Sequence, residues 1–172
     1  MQDETLVFDR IVEGPPPIYM GPLPADWVAI PAPVVINMCG VFPHGPPPSH
    51  EVFAIALHDV QEESALPARA TFERFLASIH TAASKQPSYW HCHAGLNRSG
   101  LALGAYMHLY HGYRISDAIQ TMRDRRSPLV LCNAQFEGAL RRWYGDENEQ
   151  DFVPVDVDAW MRERTGGRGD WR

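Results

Sequence analysis

The chain of 172 residues has the length of one domain, and its 45% of hydrophobic residues is enough to bury a substantial core. Its formal net charge of -6 argues against a nucleic-acid-binding protein, and no apolar run is long enough to cross a bilayer. Because the N-terminus is acidic and three cysteines do not suggest a disulfide framework, we expect a cytoplasmic protein with reduced thiols.

The first half of the chain alternates apolar runs with proline-rich connections. Residues 6–12 predict a first strand, and the apolar, β-branched residues 34–39 predict a buried parallel strand. A further strand is predicted over residues 51–59. The prolines within residues 14–24 and 43–48 predict turns and extended chain, which form surface connections or, alternatively, ligands for SH3-type domains.

The second half is predicted to be mainly helical. A loop at residues 61–65 precedes a helix that begins near Pro67 and ends near residues 85–87. Its apolar residues recur at helical spacing and predict one buried face, formed by Phe72, Phe75, Leu76 and Ile79. The remaining predicted elements are a strand over residues 88–91, a helix over 99–111 ending at Gly112, a helix over 116–126 capped by Ser116 and broken by Pro128, and a helix over 133–144.

This alternation of strands and helices predicts an α/β fold. Helices are expected to flank both faces of a central, twisted and mainly parallel sheet of about four to five strands. Residues 1–144 are expected to form a single domain. Residues 145–172 are expected to form an acidic C-terminal extension, with a short helix over residues 156–164 and a frayed end over residues 165–172.

One stretch lies between the predicted strand at 88–91 and the helix that follows it. It reads His-Cys-His-Ala-Gly-Leu-Asn-Arg-Ser-Gly over residues 91–100. A loop in that setting directs successive backbone N–H groups, and the positive end of the helix, at one spot. These groups and the nearby Arg98 favour the thiolate form of Cys92, which is the nucleophilic form. The stretch therefore predicts a phosphate cradle with a nucleophile at its base.

Two other interpretations of Cys92 are less well supported. A structural cysteine that happens to precede an arginine leaves the glycines, the serine and the strand–helix setting unexplained. A zinc site from His91, Cys92 and His93 is disfavoured, because adjacent strand residues point to opposite faces and no distant Cys/His pair completes a tetrahedron. We therefore expect neither a metal nor a cofactor.

The stretch resembles the signature loop of the cysteine-dependent protein tyrosine phosphatases, in their dual-specificity branch. The resemblance implies that Cys92 attacks phosphorus to form a cysteinyl-phosphate intermediate and that Arg98 binds the phosphoryl oxygens. It also implies that Ser99 donates a hydrogen bond to the sulfur and that His91 braces the loop. The phosphate-binding residues are then His93, Ala94, Gly95, Leu96, Asn97 and Arg98.

A phosphatase of this type needs a carboxylic acid that protonates the leaving oxygen. The family places an aspartate at the end of an earlier strand, and Asp59 lies 33 residues before Cys92 in such a position. Glu62 and Glu63, in the same loop, are the alternatives. Asn37 resembles the family asparagine that braces the signature loop.

The run Asn37-Met38-Cys39 also resembles the Asn-x-Cys of the phosphatase-and-tensin-homologue lipid phosphatases. This resemblance implies that Cys39 is a redox partner of the nucleophile, and the alternative is a small core residue at a strand end. Cys132 is expected in the core. The run Ile18-Tyr19-Met20-Gly21 resembles the opening strand of the family. The resemblance to the superfamily therefore extends over about residues 17–144, which makes residues 1–144 a predicted phosphatase catalytic domain.

The expected substrates are phosphorylated proteins that carry phosphotyrosine and also phosphoserine or phosphothreonine. A phosphoinositide phosphatase is disfavoured because the loop has no lysine, and an RNA 5′-triphosphatase because Ala94 replaces a histidine of that branch. A non-catalytic phosphate-binding interaction module is the alternative of another class. Arg123, Arg125 and Arg126 either recognise an acidic substrate or form a solvated helix end. We expect a monomer without membrane or nucleic-acid partners.

Overall fold

The structure is a computed structural model that describes residues 8–40, 49–59, 62–145, 148 and 151–165. The proline cluster at 43–48, the beginning of the first predicted strand and the residues beyond 165 that were predicted to fray lie outside the described residues.

The described strands form one five-stranded sheet with the order β1-β2-β5-β3-β4. Strand β1 is antiparallel to β2, and the other neighbours are parallel, so the predicted α/β fold with a mainly parallel sheet is confirmed. Strand β5 is central because it pairs with both β2 and β3. The strands are β1 (Asp9–Val12), β2 (Ile18–Gly21), β3 (Val34–Asn37), β4 (Glu51–Ala54) and β5 (Ser88–His91).

Strand β4 is shorter than the strand predicted over residues 51–59, although the chain continues in the same direction. The backbone N–H groups of Ile55 and Leu57 donate to the carbonyls of Asn37 and Met38, at 3.0 and 3.1 Å. The chain therefore stays beside the end of β3 and carries Asp59 to the carboxyl edge of the sheet.

Five α helices are described. The residues predicted to form one helix face, Phe72, Leu76 and Ile79, are buried, and Phe75 is half-buried. The helix predicted for the C-terminal extension is present. The helices are α1 (Arg69–Ala83), α2 (Arg98–His111), α3 (Ile115–Arg125), α4 (Ala134–Tyr144) and α5 (Val157–Thr165), with 3-10 turns at Trp27–Ala29 and Glu63–Ala65. In the described part of the chain, none of them is long and apolar enough to cross a membrane.

Helix boundaries agree with the sequence at some ends and differ at others. Gly112 follows α2 with φ of 72°, and Asn133 caps α4 by accepting a hydrogen bond from Gln135 N. The prediction that Ser116 caps the third helix is wrong, because α3 already begins at Ile115. The Ile115 side chain is buried, and this burial moves the helix start ahead of the serine.

The two faces of the sheet are covered differently. Helices α1 to α4 pack on one face, where Trp90 contacts Tyr106 of α2 with ring centroids 4.8 Å apart. Such an aromatic pair contributes about 0.5–1.5 kcal/mol beyond the area it buries. The other face carries Tyr19 and Tyr89 and is covered by residues 27–32, including the 3-10 turn. Both faces are therefore covered, the second by a 3-10 turn and extended chain.

Candidate active site

The loop that joins β5 to α2 lies at the carboxyl edge of the parallel strands. It spans residues 92–97 and packs against the end of β2. Gly95 has φ of 66°, and a Cβ at this position would lie 2.1 Å from the carbonyl oxygen of Gly21. Only glycine allows both this backbone conformation and this close approach.

The carbonyl groups of four successive loop residues accept hydrogen bonds from outside the loop. A trans peptide holds its C=O and the following N–H in opposite directions, so the N–H groups of residues 94–97 point towards the loop interior. Inward-pointing N–H groups beside a helix N-terminus are an arrangement that can bind an anion. The four bonds run from Leu23 N to His93 O (3.0 Å), Arg126 Nη2 to Ala94 O (3.1 Å), Arg126 Nε to Gly95 O (2.6 Å) and Leu131 N to Leu96 O (3.3 Å).

Cys92 begins this loop at the end of the central strand and is 2% exposed. Its Sγ lies 3.4 Å from the Oγ of Ser99, which is in the first turn of α2 and fully buried. A hydroxyl at this distance can donate a hydrogen bond to a thiolate.

Arg98 lies beside the loop, and the chain that follows β4 holds its guanidinium. Its Nη1 donates to the carbonyl of Leu57 at 3.2 Å, and its Nε lies 3.5 Å from Oδ2 of Asp59. The contact with Asp59 is an ion pair longer than a hydrogen bond, and Nε makes no hydrogen bond to the described residues. The Arg98 side chain is 15% exposed and that of Asp59 is 50% exposed. The predicted arginine and aspartate are therefore neighbours, with the carboxyl group open to solvent.

The two alternatives for the acid differ in what can be described. Glu62 is exposed and accepts a hydrogen bond from Ser64 Oγ at 3.5 Å. The side chain of Glu63 lies outside the described part of the structure. Asp59 is the carboxylate that pairs with Arg98 in the described structure.

Asn37 ends β3 next to the candidate site. Its Oδ1 accepts hydrogen bonds from the backbone of Cys39 (2.7 Å) and Gly40 (3.2 Å) and thereby stabilises the turn after the strand. In the same turn, Met38 N donates to the carbonyl of His91 at 2.9 Å. The chain after β3 is thus bonded to the residue that precedes the nucleophile.

Asn97 was predicted among the phosphate-binding residues, but its side chain is directed to the segment before α4. Its Oδ1 accepts a hydrogen bond from Asn133 N at 3.0 Å, and Cys132 Sγ lies 3.5 Å away. Only the Asn97 backbone faces the loop interior, and the side chain joins the loop to the start of α4. The side chains of His93 and Ala94 are exposed, and that of Leu96 is half-buried.

His91 is fully buried, and neither ring nitrogen makes a hydrogen bond to the described residues. Its ring stacks on Tyr89 with centroids 5.6 Å apart and meets the edge of Trp27 at 5.5 Å. Burial lowers the pKa of His91 to about 4, and a contact with the Cys92 backbone opposes this shift only in part. The imidazole is therefore neutral at physiological pH, and it supports the loop by packing.

Cys39, the proposed redox partner, is half-buried with a free thiol. Burial raises the pKa of Cys39 to about 11, and the charge of Arg98 opposes this effect. The charges of Cys92 and Asp59 also act on this thiol. Cys39 is therefore close enough to the site for these charges to affect its pKa, and it remains a neutral thiol at neutral pH.

The arginines at the end of α3 have a role that neither sequence interpretation anticipated. Arg123 pairs with the buried Glu137 at 2.7 Å, and Arg125 forms an ion pair with Glu13. Arg126 bonds the loop carbonyls, and its Nη1 also donates to Asp9 Oδ2 at 2.8 Å. The interpretation as an acidic-substrate site and the interpretation as a solvated helix end are therefore both wrong for Arg123 and Arg126. No local signal in the sequence distinguishes these arginines from exposed ones.

The described residues contain no group of three His, Cys, Asp or Glu side chains placed to hold a metal ion.

Comparisons with known proteins identify the family and similar folds. The family model of the dual specificity phosphatase catalytic domain matches residues 33–146. Among solved structures, human DUSP28 is 19% identical with a TM-score of 0.65, covering 80% of this chain and 92% of its own. PTPMT1 in complex with PI(5)P is 20% identical with a TM-score of 0.60, covering 79% and 93%. The human tyrosine phosphatase-like serine/threonine/tyrosine-interacting protein is 17% identical with a TM-score of 0.61, covering 79% and 94%.

Among curated proteins, none matches this chain significantly. The solved structures are similar in fold, and the family model covers well over half of the chain, including β3, β4, β5 and the four helices that pack on the sheet. The chain belongs to the dual specificity phosphatase catalytic domain family.

Proposed function

We propose that this protein is a protein phosphatase that hydrolyses phosphotyrosine, and also phosphoserine or phosphothreonine, through a cysteinyl-phosphate intermediate on Cys92. The observation that carries the proposal is the loop at residues 92–97, whose N–H groups surround one spot above a buried thiol. Arg98 and Asp59 lie at the edge of the same loop. A phosphate monoester dianion matches this set of donors in charge and shape.

In the first step, the Cys92 thiolate attacks phosphorus in line with the leaving oxygen. The S–P bond forms while the P–O bond to the substrate side chain breaks, and Asp59 in its acid form donates its proton to the leaving oxygen. The loop N–H groups and the Arg98 guanidinium bind the equatorial oxygens and stabilise the charge that spreads over them. The products are the free hydroxyl of the substrate and the cysteinyl phosphate.

In the second step, a water molecule attacks the phosphorus of the intermediate. Asp59, now a carboxylate, accepts a proton from this water as the new P–O bond forms and the S–P bond breaks. Ser99 Oγ, 3.4 Å from Sγ, donates a hydrogen bond to the sulfur and makes it a better leaving group. Inorganic phosphate leaves, and the thiolate and the acid are restored.

The distribution of charge supports a substrate with a single phosphate. The variable loop positions carry the uncharged Ala94, Leu96 and Asn97 together with His93. Arg126 is 10% exposed and already bonds Asp9 and two carbonyls. A polyphosphate, such as an RNA 5′-triphosphate, needs further cations around the pocket, which the loop itself does not provide.

A phosphoinositide monophosphate is the second candidate substrate. One structure similar in fold, PTPMT1, is in complex with PI(5)P. A monophosphorylated inositol ring also presents one phosphate to the loop, so the same chemistry serves both substrates. The absence of lysine from residues 92–98 favours the phosphoprotein.

Turnover of p-nitrophenyl phosphate by the reduced protein tests the enzymatic proposal against a non-catalytic binding module. We expect activity in the wild type and its loss in Cys92→Ser, which keeps the shape of the loop but lacks the thiolate. A wild type without turnover would show that the protein is not a phosphatase.

Replacement of the acid tests the role of Asp59. We expect Asp59→Asn to reduce kcat by about 10²–10⁴-fold, the typical contribution of general acid catalysis. Glu62→Gln, in the same loop, is the matched control and should keep the wild-type rate. The reverse result would assign the acid to Glu62. A panel of phosphopeptides, PI(5)P and triphosphorylated RNA, compared by kcat/KM, then identifies the substrate class.

A further inference from the structure

We propose that Arg126 and Asp9 are a positioning pair that holds the phosphate loop in its binding conformation. Through this pair, the first strand of the chain controls how tightly the site binds phosphate. The inference deepens the proposed function and rests on it, because it concerns the same loop.

Arg126 contacts the loop from outside with two of its nitrogens. Its Nε donates to the carbonyl of Gly95 at 2.6 Å, and its Nη2 donates to the carbonyl of Ala94 at 3.1 Å. The side chain extends from the C-cap residue that directly follows α3, and it is 10% exposed. One planar guanidinium thus binds two consecutive carbonyls of the loop.

These two bonds determine the direction of two peptide groups. With the carbonyls of Ala94 and Gly95 held outward, the N–H groups of Gly95 and Leu96 point inward to the phosphate site. Gly95 has φ of 66° in this loop, but a glycine can adopt many other backbone conformations. The loop therefore needs an external partner that holds it in this conformation. Arg126 provides that partner without contacting the substrate.

Asp9 orients the guanidinium. It lies in β1, and its Oδ2 accepts a hydrogen bond from Arg126 Nη1 at 2.8 Å. The pair is mostly buried, with exposed fractions of 10% for the arginine side chain and 26% for the aspartate. A charged hydrogen bond in this setting restricts the plane of the guanidinium and balances its charge behind the loop. Asp9 and Arg126 are 117 residues apart in the chain, so this bond connects the first strand to the site.

A second ion pair between the same two regions provides a matched control. Glu13 follows β1 and pairs with Arg125, the last residue of α3. These side chains are 61% and 40% exposed, and the pair lies beside Arg126 without bonding the loop carbonyls. A variant of Glu13 therefore weakens the contact between strand and helix and leaves the orientation of Arg126 intact.

The test compares Asp9→Asn, Arg126→Lys, Arg126→Ala and the control Glu13→Gln with the wild type. The readouts are kcat and KM for p-nitrophenyl phosphate, the inhibition constant of inorganic phosphate, and the amide signals of Gly95 and Leu96 in ¹⁵N NMR during titration with phosphate. Thermal unfolding of each variant separates the folded-state effect from a loss of stability.

We expect Arg126→Ala to lower kcat/KM by about 10²-fold, the effect of losing one preorganised donor to a transition-state oxyanion. Asp9→Asn, which loses the charge but keeps an acceptor, should lower it by about tenfold. Arg126→Lys, with one donor group in place of the fork, should give an intermediate loss. In each variant, the inhibition constant of phosphate should rise as kcat/KM falls, and the Gly95 and Leu96 amides should shift less on phosphate addition. Glu13→Gln should behave as the wild type.

Coupling between the two residues gives an independent check. Once Arg126 is alanine, Asp9→Asn should cause no further loss of phosphate affinity, because the carboxylate then has nothing to orient. Additive effects of the two substitutions would contradict the positioning role.

The inference is overturned if Asp9→Asn and Arg126→Lys change the melting temperature and leave the phosphate inhibition constant of the folded protein at the wild-type value. Should Arg126→Ala fail to fold, these two variants decide the outcome. A wild type that neither hydrolyses p-nitrophenyl phosphate nor binds phosphate would overturn the proposed function, and the positioning role would be wrong with it.

Discussion

The buried imidazole of His91 makes the stability of the protein depend on pH in a defined range. Its ring is fully buried without a hydrogen-bond partner in the described structure, and burial lowers its pKa to about 4. In the unfolded chain, the ordinary value of 6.5 applies. Below pH 6.5, His91 is therefore protonated in the unfolded state, whereas in the folded state it stays neutral down to about pH 4. The free energy of unfolding falls across this window and becomes constant with respect to His91 below it.

The magnitude follows from the same two values. A difference of one in pKa corresponds to about 1.4 kcal/mol, so the drop from 6.5 to about 4 corresponds to about 3 kcal/mol. We expect the wild type to lose about 3 kcal/mol more than His91→Phe between pH 7 and pH 4. Phenylalanine keeps a flat ring against Tyr89 and Trp27 but does not titrate.

Urea unfolding at a series of pH values, followed by tryptophan fluorescence, measures this difference. Burial and the charge of His80 also lower the pKa of His111, but this contribution is present in both proteins and cancels in the comparison. Tyr89→Phe is the control, because burial raises the pKa of Tyr89, which therefore stays neutral throughout the range. Its effect on stability should be the same at every pH. If the difference between wild type and His91→Phe is also independent of pH, His91 is not a neutral buried group and the reasoning is wrong.

Three further predictions concern the site and its support. Ser99→Ala removes the hydroxyl 3.4 Å from Sγ, so breakdown of the cysteinyl phosphate should slow about tenfold and stopped-flow kinetics should show a burst; a rate without a burst would contradict the role of Ser99. Peroxide should form a disulfide between Cys39 and Cys92, and if mass spectrometry finds no linked peptide, Cys39 is only a core residue. Because its pKa is raised to about 11, Cys39 should react with iodoacetamide only in strongly alkaline solution. Glu137→Gln leaves Arg123 without its buried partner and should cost about 3–5 kcal/mol in urea unfolding, whereas a loss below about 1 kcal/mol would show that the pair is not structural.

The chemistry of the site is largely local in the sequence. Cys92, Arg98 and Ser99 belong to one strand–loop–helix segment, and the end of the strand and the start of the helix are set by nearby residues. Gly95 marks the point where the loop needs a positive φ. A short contiguous stretch therefore predicts a nucleophile, an anion site and a phosphate ligand together, because all three depend on backbone that folds as one unit.

Local signals were weaker where burial competes with them. Ser116 is of a residue type that commonly caps helices, yet α3 begins one residue earlier because Ile115 is buried in the core. Asn97 has the position of a phosphate ligand, but its side chain bonds the segment before α4. In both cases, a contact with a distant part of the chain outweighs a local preference of less than about 2 kcal/mol.

By itself, the sequence determined the α/β fold class and the family of the chain, and it predicted Cys92 as the nucleophile and Arg98 as the phosphate ligand. Only the tertiary structure decided which other side chains support the loop. Arg125 and Arg126 are adjacent and alike in sequence, yet one forms an exposed ion pair and the other orients two loop carbonyls with the help of Asp9. The physical reason is that the loop carbonyls are held by hydrogen bonds to a donor that is distant in the sequence and near only in the folded chain. Asp9, which orients that donor, lies 117 residues from it.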